Sequence, residues 1–584
     1  MNMTLQTRRF LWTLGLFCAV YACTALVVQN SYYQLVLTLM LIWAVMGCSW
    51  NVFSGFSGLI SFGHAAFFGL GAYIVALIFQ KLDVSPWLGI PLAMLVGSVA
   101  ALVIGYPTFR LRGHYFALAL LAYPLTLLYV AEWLGLQEIT LPLKRHNGAA
   151  FMQFADQRVY VLISLVLLAA SLCICHWIKH SRLGLALNAI KQNEAAAEAA
   201  GIDSLKVKLV AIAISGAMAG GAGGMYAVVL LVVTPHTVFG LLTSSQALIV
   251  TIFGGVGSVW GPLVGSAVLI PLSEGLNSVL GDRLPGIQGI VFGGAIMLVM
   301  LFAPEGVLAS LRRKRKPSPR RIAATTEVAS LVVDIPAARV GVSDTVLNVG
   351  NVSKSFGGVK AVQSVSFEAH KGEVLGIIGP NGAGKTTLFN LLNGFVRPDS
   401  GSVTFEGRNL VGLKPNRICR QRIGRTFQVM RPFPDLTVLD NVLVGALAID
   451  GSMDAAGSAA LEALAKVGLG DCASTFARDL TTVELRLMEL ARALASGPRL
   501  VLLDETLAGL GGLEVERVTK VVRSLSRGGL TILIIEHTMQ AMVGLVDRFV
   551  VLDHGEVIAN DAPQTVMKDA KVIEAYLGKR WATS

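Results

Sequence analysis

Charge is what this sequence has least of. Asp, Glu, Lys and Arg make up 15% of its 584 residues against 54% for hydrophobic residues, and the mean hydropathy is +0.64. A soluble domain carries about 25% charged residues, so this scarcity excludes both a wholly water-solvated globule and a disordered chain. It points to a protein whose solvent is partly lipid. Cysteine is also scarce: there are seven, several inside apolar stretches (Cys18, Cys23, Cys48, Cys173, Cys175), with neither a paired framework nor metal-ligand spacing. That excludes a disulfide scaffold and a zinc module, and reads as core filler in a reducing compartment.

Acidic residues are fewer than basic ones, giving a net charge of +11. Nucleic acid is one possible partner for such an excess, but the placement of the charges favours a membrane. Arg8 and Arg9 precede the first apolar stretch, Arg110 and Arg112 sit in a short loop, and Arg312, Arg313, Lys314, Arg315, Lys316, Arg320 and Arg321 follow the last. A basic run beside the membrane suits anionic head groups, and no nucleic acid is expected.

The apolar residues are concentrated before about residue 304. A transmembrane helix needs ~20 mostly apolar residues, and about ten candidates occur, near 10–28, 35–53, 58–79, 87–105, 115–135, 159–178, 207–232, 243–257, 259–278 and 286–303. The first is long enough to span and is followed at once by others, so it reads as a retained span, not a secretory signal. Glycines suggest broken or re-entrant pieces near 54–66 and 253–261. With a cytoplasmic N-terminus, the loop at Arg110, the polar stretch Lys179 to Lys206 and the run at 312–321 each follow an even number of spans. Lys144, Arg145 and Arg158 fall outside, where they would face a soluble partner.

Domain expectations follow: a polytopic α-helical membrane domain over 1–310, a basic and polar linker over 311–344, and an α/β domain over 345–584. In the last, Val374 to Gly379 is a buried-strand pattern, Gly379-Pro380-Asn381-Gly382-Ala383-Gly384 a glycine loop, and Lys385-Thr386-Thr387 opens a helix. Glycines let backbone N–H groups converge on phosphate oxygens, Lys385 neutralises the β and γ phosphates, and Thr386 can ligate Mg²⁺. Leu500 to Leu503 runs into Asp504, which would support Mg²⁺, and Glu505, a general base for water. A second buried strand, Thr531 to Ile535, leads to His537, placed to sense a γ-phosphate. Gln428 could reach the metal and the attacking water, and Phe356 could stack on adenine; surface and core roles are the ordinary alternatives for each.

Taken in order, this set resembles the ABC ATPase family over residues 345 to 584, with Phe356 as the A-loop aromatic, Gln428 as Q-loop and His537 as H-loop. Phe356-Gly-Gly-Val-Lys-Ala-Val, Gly424-Arg-Thr-Phe-Gln-Val and Ile535-Glu-His-Thr-Met are most similar to ATPases of branched-chain amino-acid uptake. One segment departs: where the family has Leu-Ser-Gly-Gly-Gln or a close variant, this chain has Leu480-Thr481-Thr482-Val483-Glu484. Bulk at Thr482 and Val483 and the charge of Glu484 should hinder contact with a γ-phosphate. The family sandwiches each ATP between one subunit's P-loop and the other's signature, so the defect implied falls on the partner's nucleotide.

Residues 30 to 310 resemble branched-chain amino-acid permeases in Gly55 to Tyr73, Arg110 to Phe116, Gly254 to Pro262 and Phe302 to Gly306. Within the first segment His64 could relay protons or merely pack beside close-set small residues (Gly63, Ala65, Ala66, Gly69), the latter being the reading favoured. The amphipathic stretch Ser181 to Gly201, with Glu194, Glu198 and Gly201, is similar to the loop that docks permeases on ABC ATPases. The resemblance implies an ATP- and Mg²⁺-dependent importer half in a bacterial-type inner membrane, N-terminus and ATPase cytoplasmic. It also implies a second permease, a second ATPase and a periplasmic or extracytoplasmic solute-binding protein. A homodimer, an exporter and a membrane-tethered regulatory ATPase are the alternatives.

Overall fold

The computed structural model describes residues 5–111, 113–144, 147–281, 283–284, 286–303, 306–308, 344–448, 452–536 and 542–577. Arg112, Arg145, His537 and nearly all of the expected linker lie outside them. The chain divides into two compact units, 1–191 with 205–317, and 192–204 with 318–584.

The first unit is helical: α1 (Leu5–Val27), α2 (Ser31–Trp50), α3 (His64–Leu82), α4 (Pro86–Thr108), α5 (His114–Trp133), α6 (Arg158–Lys179), α7 (Arg182–Gln192), then, beyond α8 (Glu194–Ala199) of the second unit, α9 (Ser204–Leu230), α10 (Pro235–Phe239), α11 (Leu241–Gly254), α12 (Gly261–Leu280) and α13 (Ile287–Phe302). Among the described residues nine helical segments are long and apolar enough to cross a bilayer, Pro235–Gly254 counting as one. The tenth expected span, 286–303, is shorter than the rest. Its helix α13 has 16 residues, roughly 24 Å at 1.5 Å per residue against a hydrocarbon core of about 30 Å.

The centre of this unit is α2, where every residue from Thr38 on is buried, as is the π-helical turn Asn51–Gly55 that continues it. After that turn only Phe56 and Ser57 continue the helix, 58–63 being non-helical up to His64, and α11 likewise stops at Gly254, with six residues before α12 at Gly261. The two breaks meet: Asn51 Oδ1 accepts the Gly257 N–H at 2.8 Å and Asn51 Nδ2 donates to the Ser258 carbonyl at 2.9 Å. Unwound backbone at membrane depth needs such internal partners, because lipid offers none. Close helix contact rests on glycine: a Cβ on Gly216 of α9 would lie 2.4 Å from the Gly97 carbonyl oxygen of α4.

His64 is wholly buried, with Nδ1 2.9 Å from Ser61 Oγ and Nε2 2.8 Å from Ser215 Oγ. The Ser215 hydroxyl donates onward to the Ser49 carbonyl at 2.8 Å. That network assigns the imidazole proton to Nε2 and leaves Nδ1 accepting from Ser61. Each ring nitrogen has its partner, so the histidine pins α2, α3 and α9 together as a packing group.

In the second unit a four-stranded antiparallel sheet, in the order β4–β3–β6–β7, joins β3 (Thr345–Phe356), β4 (Val359–His370), β6 (Ser400–Phe405) and β7 (Arg408–Asn409); β1 (Ile139–Thr140) and β2 (Val232–Val233) form a small pair in the membrane unit. A six-stranded sheet, in the order β12–β11–β5–β10–β9–β8, holds β5 (Val374–Ile378), β8 (Ile423–Arg425), β9 (Leu500–Asp504), β10 (Thr531–Ile535), β11 (Arg548–Asp553) and β12 (Glu556–Asp561). All neighbours are parallel except β11 and β12. Strands β5, β9 and β10 are buried at every residue, as parallel strands covered on both faces must be, which is why they read as unbroken apolar runs.

Candidate nucleotide site and its surroundings

In an open parallel sheet, ligands bind beyond the carboxyl ends of the strands. Those ends carry the sequence motifs: Gly379 follows β5, Asp504 closes β9, Arg425 closes β8 and Glu536 follows β10. Gly379 to Gly384 forms the loop between β5 and the helix Lys385–Leu392. Gly384 takes φ 98°, and a Cβ there would stand 2.2 Å from the Ala361 carbonyl oxygen, so only glycine fits. The Lys385 ammonium lies over the loop, donating to the Gly379 and Pro380 carbonyls at 2.7 and 2.9 Å. Burial pulls its pKa down, while the carboxylates of Glu505 and then Asp504 push it back. Asn381, Gly382 and Thr386 are exposed, Ala383 is buried, and Thr387 is intermediate. This loop, exposed at Asn381 and Gly382, one cation and a helix N-terminus can cradle phosphate.

Asp504 is 1% exposed, and its Oδ1 is buried without a hydrogen-bond partner. Burial raises its pKa, against the Arg425 guanidinium beside it. Thr386, Gln428 and Asp504 share a cavity of about 290 Å³ also lined by Ala195, Asn390 and Arg425. A hydroxyl, an amide and an unpartnered carboxylate oxygen are the hard oxygen donors Mg²⁺ takes, so these residues fit it. Glu505 sits at φ 46°, a sparsely populated conformation for a non-glycine residue, with its N–H bonded to the Ile535 carbonyl at 2.9 Å. Phe356, at the end of β3, is 49% exposed. The Lys354 ammonium lies over its ring, 5.5 Å from the centroid, and the ring remains half in solvent, unlike a core phenylalanine. His537 lies outside the described residues.

The segment Leu480 to Glu484 opens the helix Thr482–Leu494, with Thr481 as its N-cap. One Glu484 oxygen accepts both the Thr481 N–H and the Thr481 hydroxyl at 2.8 Å, a reciprocal capping box. These hydrogen bonds lower the Glu484 pKa. Val483 differs from expectation: it is 5% exposed and turned into the core, so the outward bulk is that of Thr482, which is exposed. The physical reason is helical phase, which turns neighbouring positions to different faces.

Sequence reasoning gave no role to the charged residues further along this helix, which clamp the segment after β8. Arg486 donates to the Phe427 and Gln428 carbonyls at 3.1 and 3.0 Å. Glu489 accepts the Arg431 N–H at 2.6 Å, and Arg492 donates to the Arg431 carbonyl at 2.9 Å. Their spacing at i, i+3 and i+6 on a helix otherwise filled by Leu, Met and Ala was the available signal.

Residues 192–204 cluster with this unit. Gln192 accepts the Asp435 N–H at 2.9 Å, and Asn193 caps α8 through the Ala196 N–H. Glu194 lies in the first turn of α8, and Glu198 accepts the Ser204 hydroxyl at 2.5 Å. Gly201 takes φ 92°, and a Cβ there would meet Ala448 Cβ at 2.4 Å.

Three family models match the chain: a permease component of branched-chain amino-acid transport systems over residues 32–301, ABC transporter over 362–508, and branched-chain amino-acid ATP-binding cassette transporter over 556–582. The high-affinity branched-chain amino-acid transport ATP-binding protein LivG of Salmonella typhimurium is 36% identical over 253 residues, covering 41% of this chain and 99% of that protein. The chain belongs to the branched-chain amino-acid ABC transporter family. BraF of Pseudomonas aeruginosa, with a like description, is 34% identical, again over 41% of this chain and 99% of that protein. A crystal structure of a nucleotide-free ATP-binding cassette from an ABC transporter is 31% identical over 40% of this chain and 100% of its own, with a TM-score of 0.38. The family member described here thus fuses a permease to an ATPase in one polypeptide, and its ATPase couples ATP hydrolysis to transport across the membrane.

Proposed function

We propose that this chain is half of an importer for branched-chain or other hydrophobic amino acids, or for a related small organic solute such as an amide, urea or an aromatic acid. The observation that carries the reading is the permease match and the ATPase match on one polypeptide. Import, over the export alternative, is supported by the number of spans, which exceeds the six long ones of exporter fusions, and by residues 192–204 clustering with the ATPase unit. Glu194, Glu198 and Gly201 serve as the coupling segment. A second permease, a second ATPase and an extracytoplasmic binding protein complete the assembly in the inner membrane. If α13 crosses, ten spans put the N-terminus and ATPase both in the cytoplasm; nine would part them.

At the site, Gly379 to Gly384 and the following helix N-terminus hold the phosphates, Lys385 supplies the fixed cation, and Thr387 supports them from the first turn. Mg²⁺, held by Thr386, Gln428 and Asp504, would offset charge between β and γ phosphates. Glu505 takes the proton of the attacking water, the role assigned to His537 is to sense the γ-phosphate, and Phe356 stacks on adenine. The signature serves the partner's nucleotide poorly, because Glu484 already occupies the Thr481 donors with an anion and would repel a γ-phosphate there. One competent and one weakened site follow, provided the partner ATPase has an intact signature.

Reconstitution in proteoliposomes tests this. ATP-driven uptake of labelled leucine that needs a binding protein on the face opposite the ATPase supports the reading. Efflux, or ATP hydrolysis without any transport, sinks it.

A further inference from the structure

Arg425 closes β8 with its side chain only 3% exposed, yet it carries a charge into the core. Its guanidinium has two polar anchors, Asn390 Oδ1 at 2.8 Å on the helix after the phosphate loop, and Asp504 Oδ2 at 3.2 Å at the end of β9. The rings of Phe395 and Phe427 flank it, with centroids 5.4 and 5.2 Å away. The next residue, Thr426, takes the Asp504 N–H on its hydroxyl at 3.2 Å. Two consecutive residues thus fix Asp504, one by its amide and one by a single carboxylate oxygen. The other oxygen, Oδ1, is the buried one without a partner, and Asp504 lines the cavity shared with Thr386 and Gln428.

The terminal torsion of an aspartate is broad and two-fold, so the carboxylate has no preferred setting of its own. We propose that Arg425 is a positioning residue that sets the Asp504 carboxylate, holding Oδ2 so that Oδ1 faces the metal position. The guanidinium acts on the metal position through the Asp504 carboxylate it holds. Because Gln428 follows three residues later on the same strand exit, the geometry ties the setting of the carboxylate to the position of the segment that carries Gln428. The inference rests on the reading of Asp504 as the Mg²⁺ group.

Nucleotide binding by the detergent-solubilised complex separates the possibilities, measured with a fluorescent ATP analogue in the Glu505→Gln background. Mg²⁺ titrations give the metal midpoint, and EDTA gives metal-free affinity. Arg425→Met should raise the Mg²⁺ midpoint about tenfold or more, the scale of a lost second-layer contact, with metal-free affinity within about twofold of the parent. Arg425→Lys, keeping the charge without the fork, should fall between. Asn390→Leu, which removes the other anchor, should shift the midpoint the same way by less, and keeps the test open should Arg425→Met fail to fold. An unchanged or lowered midpoint, or an equal loss of metal-free affinity, would overturn the proposal. Asp504→Asn is the control: if Mg²⁺ still tightens binding there as in the parent, the metal assignment itself fails, and with it the ground for a positioning role.

Discussion

Two faces of the ATPase unit handle anions in opposite ways. The phosphate loop leaves Asn381, Gly382 and Thr386 exposed, with the buried Lys385 ammonium over the loop and Asp504 Oδ1 without a partner. At the signature, the helix N-terminus carries its own anion: Glu484 already holds the Thr481 N–H and hydroxyl. A helix N-terminus attracts negative charge wherever it comes from. The first face is open to a ligand's phosphate, whereas the cap donors of the second are satisfied from within; on the function proposed here, that internal anion costs the second face affinity for an outside phosphate.

The largest effect should come from breaking the first face. Glu505→Gln in the assembled transporter should cut ATP turnover at least about 100-fold, the scale of a lost general base; retention of most activity would place the competent site elsewhere. Lys385→Ala removes the buried cation and should weaken ATP binding by about 3 kcal/mol, roughly 100-fold, in equilibrium titration. Phe356→Ala should cost about 1 kcal/mol of nucleotide affinity and Phe356→Trp almost none, if stacking is its role.

The second face gives smaller changes. Thr481→Ala breaks the capping box and should lower unfolding stability by about 1 kcal/mol in a denaturant titration, with little effect on nucleotide binding at the chain's own loop. The sign with pH follows from Glu484, whose pKa is lowered in the fold. Its contribution is present above the unfolded carboxylate value and fades as pH falls through the folded one. Glu484→Gln should therefore flatten the acid side of the stability profile, and a profile unchanged by that substitution would remove the cap from the comparison.

Much of this was legible before any fold was known. Buried parallel strands advertise themselves as apolar runs, so β5, β9 and β10, and the motifs at their ends, could be placed from sequence. The breaks after Gly55 and Gly254 were also readable from clustered glycines, although their mutual contact through Asn51 was not, since long-range pairing leaves no local pattern. Nor was the inward turn of Val483, which depends on helical phase at the cap. Arg425 stood in a quoted motif, but its role appears only when Asn390 and Phe395, from the helix after the phosphate loop and its exit, and Asp504, from β9, converge on it. The tenth apolar stretch, 286–303, was placed to within a residue of α13, but hydropathy alone does not say whether a helix of 16 residues crosses the bilayer.

The most direct measurement is the stoichiometry of vanadate-trapped nucleotide in the purified transporter, assembled with its second ATPase and cycling with Mg-ATP. One trapped ADP per pair of ATPases, lost with Glu505→Gln in this chain, is the result expected of one competent and one weakened site. Two trapped ADP per pair, or trapping that survives that substitution, would contradict it.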